Sequence, residues 1–346
     1  HDENVFRFEM EHIFAFEWQY FAPTERLLRP GDCVIGQVAD IPLLVVRTHA
    51  DELKGFINMC RHRGHPVASH DGNRRALVCP YHGWSYHLSG KLKRAPKCDA
   101  EPCFNPDELS LLPVSVDTWG HGVFVNPDPQ APPLRQAHPR FEEIWQSRGL
   151  TTDLESFEFR RRIEYDAEAN WKLWYDNNVE CYHCPRIHGK SFAAAYDVAP
   201  QNIDNFELDR MLTNRFAAAE VAHGEELRSS NYRSIQLFPG ITIIQQDDLM
   251  VLSQMIPIGP ERTISIMDYF AERGGQDTRF EQWVALWDQT FKEDLTAARN
   301  QQRGMRTGRL KKSRFITTQE RPLVFINRTV LEAYQRGLSL NGNPGT

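Results

Sequence analysis

Four residues in one stretch, "CRHRGHPVASHDGNRRALVCPYHGW", have the types and spacing to hold a metal: Cys60 with His62, and Cys79 with His82. A structural zinc site usually closes its tetrahedron with like pairs, C-x2–4-C against a second knuckle or H-x3–5-H. Here each half brings one thiolate and one imidazole, with 16 residues between His62 and Cys79. Two thiolates on one iron and two imidazoles on the other would make a [2Fe–2S] cluster in which two histidines replace two cysteines. Neutral imidazole leaves such a cluster less negative than all-cysteine ligation does, so it accepts electrons more readily. Gly64, Pro80 and Gly83 suit tight loops whose backbone N–H groups face the sulfides. A zinc-stabilised binding protein is the competing class, and the mixed pairs argue against it.

A second set lies in "NWKLWYDNNVECYHCPRIH", Asn170 to His188, where four residues separate His183 from His188. Pro185 predicts a helix end, with His183 on the last turn and His188 on a loop that bends back to the same metal. Two imidazoles and a carboxylate form the facial triad that holds Fe(II) with positions open for oxygen. A distant helix offers the carboxylate. In "FEQWVALWDQTFKEDLTAARNQQRGM", Trp283, Trp287, Phe291, Asp294 and Ala298 share one helical face, so Asp294 points inward while Glu293 points elsewhere. An ionised carboxylate on an apolar face needs a partner, and a metal is a good one; the plainer alternative is an aspartate at the edge of the stripe. Cys181 and Cys184 flank His183 as a CxxC and read as packing residues rather than as a soft-metal or redox pair.

The elements that must position these residues divide in two. At 346 residues, 41% hydrophobic and 25% charged, the chain has ordinary globular composition and suits two domains. Short apolar runs such as "PLLVVRT" and "GVFVN", separated by Gly, Asp and Pro, predict a small antiparallel-β domain over 18–130. "NPDPQAPPLRQAHPR" packs five prolines into fifteen residues and reads as a linker. Residues 131–346 read as an α+β domain, with helices near 167–184, 280–305 and 328–337 and strands between them, and residues 1–17 packing on it. His65, His70, His87 and His121 are expected at the surface or in loops, and Cys98 and Cys103 as structural cysteines.

Charge and cysteine usage bound the setting. The net charge is −6, yet from Lys54 to Lys97 nine basic residues face one acid, Asp71. That skew suits docking of an acidic protein partner, while the acidic chain as a whole disfavours nucleic acid. Seven cysteines in a chain of this size fit a reducing cytoplasm better than a secreted disulfide framework. No apolar run is long enough for a membrane span, and the start lacks a signal-peptide pattern. The nearest approach to a dinucleotide fingerprint, Gly120-x-Gly122, lacks its third glycine, so electrons are expected from a separate protein.

"CRHRGHP" and "CPYHGWSY" together resemble the Rieske domain of ring-hydroxylating and related non-haem iron oxygenases, in their terminal oxygenase (alpha) subunit. The acid-x2-His-x4-His motif followed much later by "ED" on a helix also matches, at Glu180, His183, His188 and Asp294. The resemblance covers nearly the whole chain. It implies an N-terminal antiparallel-β Rieske domain, and a C-terminal α+β catalytic domain whose antiparallel sheet is flanked by helices. Cys60, His62, Cys79 and His82 would hold the [2Fe–2S] cluster, and His183, His188 and Asp294 a mononuclear Fe(II). The implied activity is mono- or dioxygenation of a small organic substrate with O2, on electrons passed from NAD(P)H by a separate reductase or ferredoxin. A homotrimer is implied, in which Glu180 bridges His82 of one chain to His183 of the next; Asn177 would hydrogen-bond near the iron. Glutamate rather than aspartate at 180, within "ECYHC", resembles the branch acting on carnitine, glycine betaine and other N-methylated compounds. Aromatic-ring hydroxylation within the same family is the alternative, and a Rieske electron carrier without oxygenase activity is the alternative of another class. Trp171, Trp174, Tyr175, Tyr182, Tyr196, Phe238, Tyr269 and Phe270 are candidates for a cation-binding aromatic cage or for ordinary core.

Overall fold

A computed structural model describes residues 1–98, 101–151, 153–219 and 232–341. The chain forms two compact units, Phe14–Pro139 and, separately, His1–Ile13 with Arg140 onward. The architecture is the α+β arrangement read from the sequence. Among the described residues, no helix is long and apolar enough to cross a membrane.

The first unit is β-rich. A seven-stranded antiparallel sheet runs, in spatial order, Gln19–Pro23, Gly122–Asn126, Pro113–Trp119, Leu53–Ile57, Ile41–Arg47, Asp32–Val38 and Gly72–Asn73. A smaller sheet of Leu77–Val78, Ser85–Tyr86 and Leu92–Arg94 carries the second Cys/His pair at its first turn. Cys60 and Cys79 lie in one core with Phe56, Leu77, Trp84 and Tyr86. Asn58 fixes the first loop: its Oδ1 accepts from Val67 N and Ala68 N, both at 3.0 Å, and its Nδ2 donates to Ala68 O at 2.8 Å. Three bonds from one buried side chain satisfy backbone groups that a loop would otherwise leave unpaired.

The proline-rich segment is not a loose tether. Its Leu134 is buried, Leu134 N donates to Asp117 Oδ2 at 2.9 Å, and Trp18 Nε1 donates to Pro132 O at 3.0 Å. Proline runs lower the entropy lost on ordering, so such a segment packs at small cost. His121 sits in the turn between two strands, within the surface-or-loop expectation, with its ring meeting Glu25 at 2.6 Å and largely covered. Of the two cysteines expected to be structural, Cys98 packs partly against the core, but Cys103 is exposed and carries no packing role.

The second unit is built on another seven-stranded antiparallel sheet, in the order Phe157–Ala167, Arg262–Glu272, Leu249–Gly259, Ile241–Gln246, Tyr232–Leu237, Met211–Phe216 and Asp204–Leu208. Over it lies the long helix Asp277–Arg306, which buries Phe280, Trp283, Trp287, Phe291, Asp294 and Ala298 at helical spacing. Tyr165 OH donates to Asp288 at 3.3 Å and Trp283 Nε1 to Gln246 Oε1 at 2.7 Å, fixing its height above the sheet. Beside it runs the helix Trp171–Val179, whose Asn170 cap accepts from Lys172 N at 3.0 Å. The N-terminal helix Glu3–His12 sets Glu9, fully buried, against Trp171 Nε1 (2.8 Å), the Lys172 ammonium and the Tyr334 hydroxyl. Three donors compensate the desolvation of that carboxylate, which ties both ends of the chain to the central helix.

Candidate metal centres

The two Cys/His loops are built alike. Cys60 N donates to His65 O and Gly64 N to Cys60 O, at 2.8 and 2.9 Å; Cys79 N donates to Trp84 O and Gly83 N to Cys79 O, at 2.8 and 3.1 Å. Each loop closes through a glycine in the left-handed region, Gly64 at φ 73° and Gly83 at φ 72°, where a Cβ would be strained. The repeated geometry buries both thiols and leaves both imidazoles exposed, their ring centroids 4.6 Å apart. His62 also stacks on Trp84 at 4.9 Å. Burial above all pushes the Cys79 thiol up, and the backbone N–H groups of Tyr81 and His82 facing its sulfur pull the other way. Tyr86 OH lies 3.2 Å from Cys60 Sγ, and receives Arg61 N–H at 3.0 Å. Sulfurs inside, imidazoles at the rim and amides turned to sulfur fit a cluster with one iron on two cysteines and the other on two histidines.

Around this rim Arg63, Arg75, Lys91, Lys93, Arg94 and Lys97 are exposed. The single acid of the stretch, Asp71, is held by Arg26 and by Ile35 N at 2.8 Å. Its charge is thus spent internally, and the outward face stays positive.

In the second unit the sequence's helix over 167–184 is shorter than expected, ending at Val179. Glu180 ends it: one carboxylate oxygen takes the Tyr182 N–H and the other meets His183 Nδ1 at 2.5 Å. Such side-chain bonds to nearby donors compete with helix continuation. Pro185 therefore does not terminate a helix; it sits in the first turn of a new one, Cys184–Ile187, where its missing N–H costs nothing. His183 is the residue before that turn and His188 the residue after it. One short turn, not a bent loop, brings the two imidazoles together edge to face, their centroids 5.1 Å apart and their planes at 76°.

Their Nε2 atoms stand 3.2 Å apart, and Asp294 Oδ1, from the long helix, stands 3.0 Å from His188 Nε2 and 3.4 Å from His183 Nε2. Donors bound at right angles about 2.1–2.2 Å from one ion lie about 3 Å apart, so the three atoms have the spacing of a shared metal. Asp294 Oδ1 is buried, and beyond its close contacts with the two ring nitrogens it has no hydrogen-bond partner. A buried carboxylate oxygen with no proton donor is costly unless a cation completes it. The residues fit a metal of the two-histidine, one-carboxylate kind.

Each imidazole is held from behind. Glu180 takes His183 Nδ1, and Glu293 Oε2 takes His188 Nδ1 at 2.9 Å while accepting from Ser191 Oγ at 2.5 Å. Glu293 thus does not turn away from the site as the helical stripe predicts: next to Asp294 on the helix, it reaches the far nitrogen of His188. Burial works against charging His183, yet Asp294 and then Glu180 outweigh it and raise its pKa to about 9 without a metal. Burial likewise opposes an ionised Asp294, and the two histidines hold it below the usual carboxylate range.

Cys181 and Cys184 are joined by a disulfide, with Cα atoms 4.9 Å apart. The reading of these residues as plain packing is corrected: they are buried, but as a bonded pair. The turn of Cys184 N back to Cys181 O, at 3.2 Å, brings the two sulfurs together.

A cleft opens onto the three converging donor atoms, lined by Asn177, Phe192, Phe216, Tyr232, Trp287 and Phe291 among others. Phe192, Phe216, Tyr232 and Trp287 form one cluster, with five ring–ring separations between 5.2 and 5.7 Å. None of the eight aromatics expected as cage candidates lines it. Trp171, Trp174, Tyr175, Phe238, Tyr269 and Phe270 are fully buried core, Tyr196 is packed on Phe192, and Tyr182 is exposed. The periodicity that exposed Asp294 also marked Trp287 and Phe291; Phe216 and Tyr232, on two paired strands, had no such signal. Asn177 Oδ1 and Trp287 Nε1, both on the lining, are buried without a hydrogen-bond partner.

With the geometry in view, comparison with known proteins is direct. Residues 154–336 match the family model of the ring-hydroxylating alpha subunit (catalytic domain), and residues 17–112 match the Rieske [2Fe–2S] domain. Choline monooxygenase (chloroplastic) of Atriplex hortensis is 26% identical over 317 residues, covering 89% of this chain and 70% of that protein. The carnitine monooxygenase oxygenase subunit of Acinetobacter baumannii is 27% identical over 339 residues, covering 92% and 86%. Among solved structures, a quaternary ammonium Rieske monooxygenase described in connection with carnitine oxidation by gut microbiota superposes with a TM-score of 0.86 at 23% identity, over 96% of this chain and 93% of that one. Naphthalene 1,2-dioxygenase from Rhodococcus sp. gives 0.80 at 18%, over 96% and 92%. At such identities the last two establish the fold.

Proposed function

The chain belongs to the ring-hydroxylating alpha-subunit family with an N-terminal Rieske domain, and on that premise we propose that it oxidises a quaternary or N-methylated ammonium compound. It is the terminal oxygenase component of a multicomponent Rieske oxygenase. The observation that carries the site assignment is the convergence of His183 Nε2, His188 Nε2 and Asp294 Oδ1 within 3.4 Å, each imidazole backed by a carboxylate.

Cys60, His62, Cys79 and His82 would hold the [2Fe–2S] cluster, and His183, His188 and Asp294 the mononuclear iron, within domains taken as 18–130 and 131–346. When bound, the cluster supplies electrons one at a time and the mononuclear iron supplies the oxygen chemistry. The chain's own part follows from the contacts. Glu180 and Glu293 keep the Nδ1 protons of His183 and His188, so each Nε2 lone pair stays turned to the metal. Ordinary imidazole swivel is thereby suppressed at both ligands.

Phe192, Phe216, Tyr232 and Trp287 offer π-faces to a trimethylammonium head, which carries no N–H and so takes no hydrogen bond. Trp287 Nε1 and Asn177 Oδ1 remain to meet the polar end of the substrate. The names of the choline and carnitine relatives support this substrate class over an aromatic hydrocarbon. Electrons reach the cluster from a separate reductase or ferredoxin docked on the basic rim. The assembly is a homotrimer in the cytoplasm, with Glu180 linking His183 to the exposed His82 of a neighbouring chain. Exposure of His82 beyond its own loop supports that link.

A single-turnover assay tests the substrate reading without the natural donor. Protein reduced with dithionite is exposed to O2 with choline, carnitine or glycine betaine, or with naphthalene or benzoate. Cluster reoxidation is followed optically and products by mass spectrometry. Substrate-accelerated reoxidation with an oxygenated or N-demethylated ammonium product is expected; response to the aromatics alone would favour ring hydroxylation.

A further inference from the structure

The disulfide beside the proposed iron ligands has no part in the chemistry above, yet both of its cysteines line the cleft that holds His183, His188 and Asp294. Cys184 Sγ stands 3.9 Å from His183 Nε2. The donor atoms of His183, Cys184 and His188 all fall within 4.8 Å of one another. In a tetrahedral zinc site, with Zn–S near 2.3 Å and Zn–N near 2.05 Å, sulfur and nitrogen lie about 3.6 Å apart and two nitrogens about 3.3 Å apart. The nitrogens here are 3.2 Å apart, and Asp294 Oδ1 adds contacts of 3.0 and 3.4 Å. Cys184 Sγ, at 3.9 Å from His183 Nε2, stands only slightly beyond the sulfur–nitrogen spacing of such a site, so a freed thiolate has a short way to move to join the other three donors.

We propose that the Cys181–Cys184 disulfide is a reversible guard on metal identity: closed, it withholds the Cys184 sulfur and leaves a three-donor site with open positions; opened, it supplies a fourth donor, and the site captures zinc. This rests on the assignment of His183, His188 and Asp294 as ligands. The exchange balances. A dithiol reductant gives two electrons and two protons to the S–S bond, leaving two cysteine thiols and the reductant's own disulfide. Zinc then displaces the Cys184 proton, and the thiolate is the donor that most favours zinc over iron(II) at a mixed site. A thiolate donor there would also take up a position that oxygen needs. Cys181 acts differently, keeping Cys184 bonded and so away from the metal.

The test uses the full chain with its cluster in place and its mononuclear metal removed by mild chelation under argon. One portion is left as purified, and the other is reduced with tris(2-carboxyethyl)phosphine, which becomes the phosphine oxide as the disulfide becomes two thiols. Alkylation and peptide mass spectrometry should find two newly reactive thiols on the 181–184 peptide only after reduction. Zn²⁺ and Fe²⁺ affinities are then read by competition with a chromophoric chelator. Reduction should tighten Zn²⁺ about tenfold or more relative to Fe²⁺. Cys184→Ser should remove that dependence while still binding Fe²⁺. Cys181→Ser, which frees Cys184 permanently, should favour zinc with or without reductant. The proposal is overturned if no new thiols appear, if the Zn²⁺/Fe²⁺ ratio stays within about twofold on reduction, or if Cys184→Ser keeps the full shift. His183→Ala separates the two ideas: if that variant binds both metals like the wild type, the ligand assignment itself has failed.

Discussion

The two candidate metal centres are made in opposite ways. The Cys/His centre draws its four residues from 23 consecutive positions, and each loop ties itself with the same pair of backbone bonds around a left-handed glycine. The His/His/Asp centre joins a short helical turn to an aspartate more than a hundred residues later, on the long helix. The first centre keeps its sulfurs buried and turns its imidazoles outward, whereas His188 and Asp294 of the second are buried. A relay that must meet another protein benefits from an exposed edge; a site that handles oxygen benefits from enclosure. Local loops give the one, and packed helices over a sheet give the other.

If that contrast is right, a change behind a buried ligand should act on chemistry or metal, and leave the loop-held centre alone. Glu180→Ala tests this most severely. Supplied with excess Fe²⁺ to offset any weaker binding, it should hold about three irons per chain yet lose turnover by about 100-fold, because the acid orients His183 without ligating. Normal turnover in the iron-replete variant would remove Glu180 from the mechanism.

Glu293→Ala should weaken mononuclear iron by about 10–100-fold, as loss of an acid behind a ligating histidine does. The visible spectrum of the cluster should not change. An equal loss of cluster would mean that the two centres are not independently built.

Proton competition sharpens the contrast further. Without metal, the His183 pKa is raised from 6.5 to about 9, since Asp294 and Glu180 outweigh the burial that opposes its charge. The charged imidazole therefore stabilises the metal-free fold below pH 6.5, and that contribution is lost as pH rises through about 9. A metal must displace the same proton, so its affinity should climb by up to about tenfold per pH unit across this window and then level. Anaerobic Co²⁺ titration between pH 6.5 and 9 measures it; a flat profile would refute the coupling.

The smallest effect is expected at the rim. Neutralising Arg75, Lys93 and Arg94 together should raise the KM for the electron donor several-fold and flatten its dependence on salt, with the intrinsic single-turnover rate unchanged. Donor kinetics that ignore the substitution would place docking elsewhere.

The same contrast explains what the sequence made legible. Cys60, His62, Cys79 and His82 stand out because their spacing is their geometry: the loops close on themselves. Asp294 was visible through helical periodicity, since an acid interrupts a stripe of buried aromatics. Glu293 was hidden by that argument, because periodicity places the Cα while a long side chain can still reach round the helix. Pro185 misled for a similar reason: a proline both ends helices and begins them, and only Glu180, by ending the first helix early, decided which. The cleft-lining Phe216 and Tyr232 are brought together by strand register, which local pattern does not encode.

The central claim is that one chain carries both centres with the named ligands. Iron and acid-labile sulfide per chain, on protein purified under argon and supplied with Fe²⁺, measure it most directly. The wild type should hold about three irons and two sulfides, and His183→Ala with His188→Ala about two of each. A double variant with as much iron as the wild type, or a wild type holding zinc and no sulfide, would contradict the account.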